Sequence, residues 1–360
     1  YTEQLRALGL ANGIDRIGVA PATVMQRARE TLHSRKAVGL HDTMQFTYRN
    51  PDRSTNPDAA VPNAKAMMVG ACSYSTEAPV EPQQLSARVA RYAWADYYET
   101  LRYGLGVVAE ALKSNGWNAQ VFVDHNALVD REAAYLAGLG WYGKNANLLM
   151  SGAGSFFVLG SVVTDAPLVV NERPVDDGCG ACKRCLDSCP TNAIVEPGVI
   201  DAAKCLARLV QKPGVFNRDY RVALADRVYG CDSCQDVCPP TIRLGITTKP
   251  TAVRAWVPIL RMLNMDDAQI LESVGQWYIA DRNPMWVRRN LLIVLGNIGS
   301  AEDEDVRNAI QQFCSHTEPM LRAHALWSAA RLGLHQFIPQ TDVDPIVVEE
   351  LRNLPEVRVG

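Results

Sequence analysis

The chain has 360 residues, of which 48% are hydrophobic and 21% are charged. This length predicts two or three domains, and this balance of residues is that of an ordinary globular protein. The formal net charge of −3 argues against a surface that binds nucleic acid everywhere, because phosphate neutralisation needs clustered Lys and Arg. No run of about 18 apolar residues occurs, so we expect no membrane-spanning segment.

The first half of the chain alternates strand-like and helix-like stretches. Short apolar stretches rich in β-branched residues predict strands at 15–20, 66–74, 119–124 and 155–164. Amphipathic stretches between them predict helices at 22–36, 96–116 and 127–140. We therefore predict that residues 1–170 form an α/β domain in which helices flank a mixed sheet.

The next region, 171–245, contains most of the cysteines. Eight of the ten lie between 179 and 238, whereas Cys72 and Cys314 are expected to be buried small side chains. Clustered cysteines in a long chain favour metal binding in a reducing compartment over a disulfide framework. We therefore expect a cytoplasmic metalloprotein.

The spacing of these cysteines indicates which metal group they bind. Residues 178–190 read "GCGACKRCLDSCP", and a second group, "CDSCQDVCP", follows at 231–239. Runs of this kind are typical of two-cluster ferredoxins, in which the fourth cysteine ligates the other cluster. The rule gives two sets of four thiolates, namely Cys179, Cys182, Cys185 and Cys238, and Cys189, Cys205, Cys231 and Cys234. We predict a ferredoxin-like module with two [4Fe–4S] clusters; structural zinc is the alternative.

The last region, 246–360, is predicted to be entirely helical. The stretches 287–299 and 321–333 align at a spacing of 34 residues, with Arg288 over Arg322 and Gly299 over Gly333. A repeat of this period favours a HEAT-like α-solenoid, and an irregular helical cap is the alternative.

Polar residues at the ends of predicted elements mark a candidate site in the α/β region. No G-x-G-x-x-G motif follows a strand there, so a dinucleotide site is unsupported. The stretch 123–149, "VDHNALVDREAAYLAGLGWYGKNANLL", is dense in polar side chains. Asp124 ends a predicted strand and precedes a helix. Taken alone, an Asp at this place is more often an N-cap than a functional acid.

Together these stretches resemble the epoxyqueuosine reductase family. The likeness runs from about Asp15 to Pro240, and it rests on residues 87–101, 123–149, 154–165, 179–194 and 227–240. It implies a cobalamin-dependent enzyme that reduces the epoxide of epoxyqueuosine, at the wobble position of tRNA, to the cyclopentene of queuosine. Two [4Fe–4S] clusters would bring electrons to a base-off cobalamin in the α/β domain. Some family members also carry a HEAT-like tail.

The resemblance also assigns roles to individual residues. Asp124 matches the family's proposed proton donor. Four further residues lie in stretches that resemble cobalamin-facing segments, although ion pairs or packing explain them nearly as well: Arg53, Tyr97, Lys144 and Asn145. The chain departs from the family at Tyr98, 206–212 and 239–242, which marks either a divergent branch or a relative with another substrate.

The resemblance implies tRNA as a partner, bound at an anticodon stem-loop that carries epoxyqueuosine. It also implies an external reductant such as flavodoxin or ferredoxin, and we expect a monomer. Five arginines of the helical region are predicted to line a tRNA-binding edge, with ordinary solvated helix faces as the alternative: Arg254, Arg261, Arg288, Arg289 and Arg322.

Two other functions compete with this one. A cobalamin-dependent reductase of a small molecule, similar to reductive dehalogenases, would use the same cofactors. A non-enzymatic electron carrier of the ferredoxin type would hold the clusters without cobalt.

Overall fold

The computed structural model describes residues 1–244 and 253–358. Contacts between residues group them into two units that alternate along the chain. The first unit contains Tyr1–Glu77, Asp96–Ala203 and 232–244, and the second contains Ala78–Ala95, Lys204–Cys231 and 253–358. The three consecutive domains expected from the sequence are a different division of the chain, and they stay a prediction.

The described residues form sixteen α-helices and eleven β-strands. The helices are α1 (Thr2–Ala11), α2 (Gln26–Ala37), α3 (Pro51–Ser54), α4 (Tyr97–Ser114), α5 (Asp130–Leu136), α6 (Arg184–Asp187), α7 (Leu206–Leu209), α8 (Arg221–Leu224), α9 (Ser233–Asp236), α10 (Pro239–Leu244), α11 (Ile259–Leu263), α12 (Asp267–Ser273), α13 (Met285–Ile298), α14 (Glu304–Cys314), α15 (Pro319–Arg331) and α16 (Pro345–Arg352). The strands are β1 (Arg16–Pro21), β2 (Ala66–Ser73), β3 (Ser86–Val89), β4 (Ala119–Val123), β5 (Trp141–Tyr142), β6 (Leu148–Leu149), β7 (Phe157–Thr164), β8 (Ile194–Glu196), β9 (Val199–Ile200), β10 (Arg227–Tyr229) and β11 (Trp256–Pro258).

The four strands predicted in the first half of the chain are confirmed, and they form one sheet in the order β1-β2-β7-β4. Every neighbouring pair in this sheet is antiparallel, so the prediction of a mixed sheet is wrong here. Strands β2 and β4 do run parallel to each other, but β7 lies between them. The error has a simple cause, because a short apolar run reports burial and carries no information on strand direction.

Helices cover both faces of this sheet. Alternate residues of β2 point to opposite faces. On one face Met67, Val69 and Ala71 join a core that includes residues of α5. On the other face, a Cβ added at Gly70 would lie 3.1 Å from the side chain of Leu101, on α4. The first unit therefore has an α/β/α layering that holds β4, and the turn after it, in a fixed place.

The second unit contains a small sheet and most of the C-terminal helices. Its strands are in the order β10-β3-β11, with β3 parallel to β10 and antiparallel to β11. Strand β11 lies in the region that was predicted to be entirely helical, so that prediction is wrong at this point. A strand of three residues is too short to produce a periodic signal.

Helices α13 and α15 occupy the two stretches that align at a spacing of 34 residues. They pack against each other, and α15 also packs against α14 and α16. Each of the two aligned arginines bonds to one carboxylate and one carbonyl: Arg288 to Asp267 and the Met265 carbonyl, and Arg322 to Asp342 and the His316 carbonyl. The carboxylate precedes Arg288 in the chain but follows Arg322, so these contacts do not repeat, and the HEAT-like repeat stays a prediction. None of the helices described is long and apolar enough to span a membrane.

Candidate active site and metal centres

Asp124 lies directly after β4, at the start of the turn that leads to α5. Its φ of 50° is left-handed, a conformation that Asp adopts more readily than most residues. The helix begins only at Asp130, its N-cap residue is Val129, and no side chain caps it. The N-cap interpretation of Asp124 is therefore wrong, and its carboxyl group is not used to start the helix.

The surroundings of Asp124 favour its protonated form. The side chain is exposed to water, but protein atoms around the carboxyl remove part of its hydration, and this desolvation raises its pKa. The nearby Arg102 and His125 oppose the shift without cancelling it. A carboxyl group with a raised pKa is suited to general acid catalysis near neutral pH.

A second carboxyl group, which the sequence analysis missed, lies beside Asp124. Asp130 is the first residue of α5, and its Oδ1 atom is buried with no hydrogen-bond partner among the described residues. Burial holds the pKa of Asp130 well above its usual range, and the charge of Asp124 raises it further. The two acids therefore form a pair that resists carrying two negative charges. An acid in the first helical turn is so common that no sequence pattern distinguishes Asp130 from an ordinary one.

A polar cavity of about 480 Å³ borders the same turn. The hydroxyl of Ser54 donates a hydrogen bond of 2.6 Å to the carbonyl oxygen of Asn126, which fastens α3 to the turn. The guanidinium groups of Arg49 and Arg53 are exposed and have no partner among the residues described. The lining residues are Phe46, Arg49, Asn50, Arg53, Ser54 and Asn126. Free cations and amides suit a ligand with phosphate or amide groups.

Tyr97 lies in an aromatic group that extends to a cysteine segment. Its hydroxyl is 3.4 Å from Thr76 Oγ1, and its ring lies 5.8 Å from that of Tyr74. The buried hydroxyl of Tyr74 in turn donates to Gln235, the residue after Cys234.

Lys144 and Asn145 also contact the cysteine segments. Lys144 Nζ donates a hydrogen bond of 2.6 Å to the carbonyl of Gly180, which lies between Cys179 and Cys182. The buried Asn145 donates a bond of 3.3 Å to the carbonyl of Cys234. The predicted contacts of these two side chains with cobalamin stay predictions; the partners present in the structure are the main chain around the thiols.

The first predicted set of thiols belongs entirely to the first unit. Burial raises the pKa values of Cys185 and Cys238. Negative charge on Cys238 and Cys179 raises the pKa of Cys185 further, and charge on Cys179 and Cys182 does the same for Cys238. Cys238 therefore lies close to thiols from a much earlier part of the chain. Among the residues that the structure describes, no two cysteines are joined by a disulfide bond.

The surroundings of this set fit an iron–sulfur cluster. Cys238 packs in an apolar group with Trp141, Leu149, Val175 and Cys179. A [4Fe–4S] cluster binds four thiolates, one at each iron, and this set offers four thiols.

The second predicted set draws on both units and stays a prediction. Cys189 and Cys234 belong to the first unit, and Cys205 and Cys231 to the second. Cys189 Sγ accepts a hydrogen bond of 3.2 Å from the amide of Ala193.

The structure corrects the predicted tRNA-binding edge. The side chain of Arg289 is only 1% exposed, so its assignment to a surface is wrong. Arg288 and Arg322 are largely buried in ion pairs, whereas Arg254 and Arg261 are exposed. An arginine that bonds to buried carbonyls has the same sequence pattern as one that faces solvent, because both recur at helical spacing.

Comparisons with known proteins identify the family of this chain. Residues 54–125 match the family model described as "Epoxyqueuosine reductase QueG, DUF1730", and residues 178–241 match the "4Fe-4S double cluster binding domain". The epoxyqueuosine reductase of Xanthomonas campestris pv. campestris is 30% identical in an alignment of 355 positions that covers 92% of this chain and 96% of that protein. The chain belongs to the epoxyqueuosine reductase family. The Bacillus cereus epoxyqueuosine reductase is also 30% identical, over 89% of this chain and 86% of its own.

Solved structures of epoxyqueuosine reductases share the fold. A selenomethionine-labelled epoxyqueuosine reductase has a TM-score of 0.87 at 25% identity, covering 97% of this chain and 96% of that one. Another, crystallised with an epoxyqueuosine-modified tRNA-Tyr stem loop, has a TM-score of 0.88 at 24% identity, covering 97% and 98%. The family membership makes this chain an oxidoreductase. All eight clustered cysteines fall within the matched double-cluster domain.

Proposed function

We propose that the protein reduces epoxyqueuosine to queuosine at the wobble position of tRNA. It would use two [4Fe–4S] clusters and a base-off cobalamin, with Asp124 as the proton donor. One observation carries the proposal: the first unit contains a carboxyl group with a raised pKa, a polar cavity that borders the same turn, and a set of four thiols of which Cys185 and Cys238 are buried.

The reaction defines what the protein must supply. Converting the epoxide to an alkene consumes two electrons and two protons, and the oxygen leaves as water. Bound cobalamin would supply the strong reducing power that opening the epoxide needs. The two clusters carry single electrons, which suits them to collect electrons from a reductant such as flavodoxin or ferredoxin.

The protein's own acids would supply the proton. As the ring opens, negative charge develops on the epoxide oxygen, and a nearby acid must protonate it. Asp124 holds a proton more readily than a free Asp because of its partial desolvation. Burial also favours the protonated form of Asp130 beside it, so the pair holds one negative charge more easily than two.

The cavity beside Asp124 offers donors for the cofactor. Arg53 and the amide groups of Asn50 and Asn126 match the phosphate and amide groups at the edge of a cobalamin. We assign Arg53, together with Tyr97, Lys144 and Asn145, to the cobalamin site. The sequence has no D-x-H-x-x-G stretch to provide a lower His ligand to cobalt, which supports the base-off form.

The helical part would contact the tRNA. We propose that α13 to α16 are HEAT-like repeats, and that the exposed Arg254 and Arg261 bind phosphates. Changing both to Ala should weaken stem-loop binding and reduce its salt dependence, because fewer counterions are released. Arg352→Ala, an exposed arginine elsewhere, is the control. Equal salt slopes for all three proteins would rule out this surface. We further propose a cytoplasmic monomer.

The direct test is an anaerobic reaction of the reconstituted protein. Protein with clusters and cobalamin is mixed with a chemical reductant and an epoxyqueuosine-containing tRNA, and the nucleosides are analysed by mass spectrometry. The proposal predicts loss of one oxygen atom from the modified nucleoside, and no loss when cobalamin is omitted. An unchanged nucleoside, in protein with full cluster and cobalamin content, would contradict it.

A further inference from the structure

The buried Arg289 lies on α13, and its partners are unusual. Its side chain and that of the adjacent Asn290 are 1% and 2% exposed. The guanidinium donates to Asn290 Oδ1 at 2.8 Å. It also donates to four main-chain carbonyl oxygens: those of Lys212 and Gly214, both at 2.6 Å, Leu209 at 3.3 Å and Val210 at 3.4 Å.

Asn290 extends this network to a second segment. Its Nδ2 atom donates to the carbonyl of Val210 at 2.9 Å and to that of Val228 at 3.1 Å. Val210 is the C-cap residue of α7, and Cys205 is the N-cap residue of the same helix. Val228 lies in β10, which ends shortly before Cys231. One pair of side chains therefore joins the segment that follows Cys205 to the segment that leads to Cys231.

These bonds leave little freedom to either segment. The last carbonyls of a helix have no partner within it, and Arg289 satisfies those at the end of α7. A buried guanidinium is tolerated only when it is hydrogen-bonded, so neither side of the network can move away without a large cost. Gly230, between β10 and Cys231, has a φ of 72°, and a Cβ there would lie 2.4 Å from Ala90. The main chain on the approach to Cys231 is thus also fixed.

We propose that Arg289 and Asn290 are positioning residues for the second iron–sulfur cluster. They hold the main chain that carries Cys205 and Cys231 at the separation that the cluster requires. The inference rests on the proposed ligand set of that cluster. The first set draws on the first unit alone, so its assembly does not depend on this pair. The helix that was predicted to bind tRNA through Arg289 would instead help to build the electron path.

The test compares cluster content in full-length variants. Wild type, Asn290→Ala and Arg289→Lys are reconstituted anaerobically, and iron and sulfide are measured per chain together with the electron paramagnetic resonance of the reduced proteins. We expect Asn290→Ala to hold about half of the wild-type iron and to keep the signal of only one cluster. The iron content of Arg289→Lys should lie between those of wild type and Asn290→Ala, because an ammonium group cannot bond to four carbonyl oxygens at once.

A matched control variant distinguishes a loss of cluster positioning from a general loss of packing around α13. Ser328 is fully buried on α15 and donates to the carbonyls of Leu292 and His324, so it joins α13 to α15 without contacting 205–231. Ser328→Ala should keep all of its iron. Full iron and unchanged spectra in both Asn290→Ala and Arg289→Lys would overturn the proposal, as would equal iron loss in Ser328→Ala.

A measurement on cluster-free protein gives a second test. Amide hydrogen exchange at 206–214 and 227–230 should be faster in Asn290→Ala than in wild type, and unchanged protection there would overturn the proposal. Wild-type protein that accepts only one cluster would instead contradict the ligand set of the proposed function, so the two failures are distinguishable.

Discussion

The turn after β4 and the cysteine segments build chemical sites in opposite ways. Asp124 and Asp130 are close in sequence, and a strand end and a helix start are enough to bring them together. Cys238 meets Cys179, Cys182 and Cys185 only because distant segments pack in one unit. The proposed proton site is therefore built from one short segment, whereas the proposed cluster site depends on long-range packing. Substitutions in the two regions should fail in different ways.

The largest effect is expected from Cys238→Ser. It removes one thiolate of the first set, so we expect loss of that cluster and a fall in turnover greater than the 10–100-fold typical of outer-shell changes. Iron analysis measures the loss of the cluster, and a turnover assay measures the fall in rate. Cys314→Ser is the control: burial raises the pKa of this cysteine to about 12, and it lies outside the predicted sets. A Cys238→Ser protein with the iron content of wild type would contradict the assignment of Cys238 to the first cluster.

A smaller effect, on turnover alone, is expected from Asp124→Asn. An amide cannot supply the proton, so turnover should fall on the order of 10²–10⁴-fold. Asn tolerates the left-handed backbone, and the clusters should remain. In wild type the rate should decline as pH rises through the raised pKa of Asp124 and its proton is lost, and this decline should be absent from the variant. An Asp124→Asn protein with full turnover would exclude Asp124 as the acid.

Substitution of Asp130 is expected to change how protein stability depends on pH rather than the cluster content. Its folded-state pKa lies above the unfolded value of about 3.9, so the folded state binds the proton more tightly. That stabilisation is complete below about pH 3.9 and is lost as pH rises through the raised pKa. The free energy of unfolding, measured with urea, should therefore fall less between pH 4 and 8 in Asp130→Asn than in wild type. Parallel stability curves for the two proteins would show that Asp130 is not perturbed.

The smallest effect concerns Lys144, whose ammonium bonds to the carbonyl of Gly180. Removing this charge in Lys144→Met should make the nearest cluster harder to reduce, by on the order of tens of millivolts. A redox titration followed by electron paramagnetic resonance measures the shift. Lys113→Met, in which the lost ammonium pairs with Glu110 on the surface, should leave the potential unchanged. Equal potentials for both variants would remove Lys144 from the cluster environment.

The features that could be predicted from the sequence are those that leave a local pattern in it. The strands of the main sheet were predicted closely because each is a buried run bounded by turns, as in β2 and β7. The double-cluster region was predicted because cluster geometry restricts cysteine spacing, and the matched domain covers it, whereas the division of the thiols into two sets stays a prediction. Strand direction, the three-residue β11 and the burial of Arg289 were not predictable, since each is decided by tertiary contacts that leave no periodic signal. The role of Asp130 was missed for a similar reason, because only its burial beside Asp124 distinguishes it from an ordinary first-turn acid.

The most direct test of a separate proton site and electron site is a single turnover that bypasses the clusters. Wild type, Cys238→Ser and Asp124→Asn are loaded with chemically reduced cobalamin and mixed anaerobically with the epoxyqueuosine stem loop, and the nucleoside is followed by mass spectrometry. The account predicts that Cys238→Ser loses the epoxide oxygen in this one turnover nearly as fast as wild type, while Asp124→Asn does not. Loss of oxygen at the wild-type rate in Asp124→Asn, or none in Cys238→Ser with bound cobalamin, would contradict it.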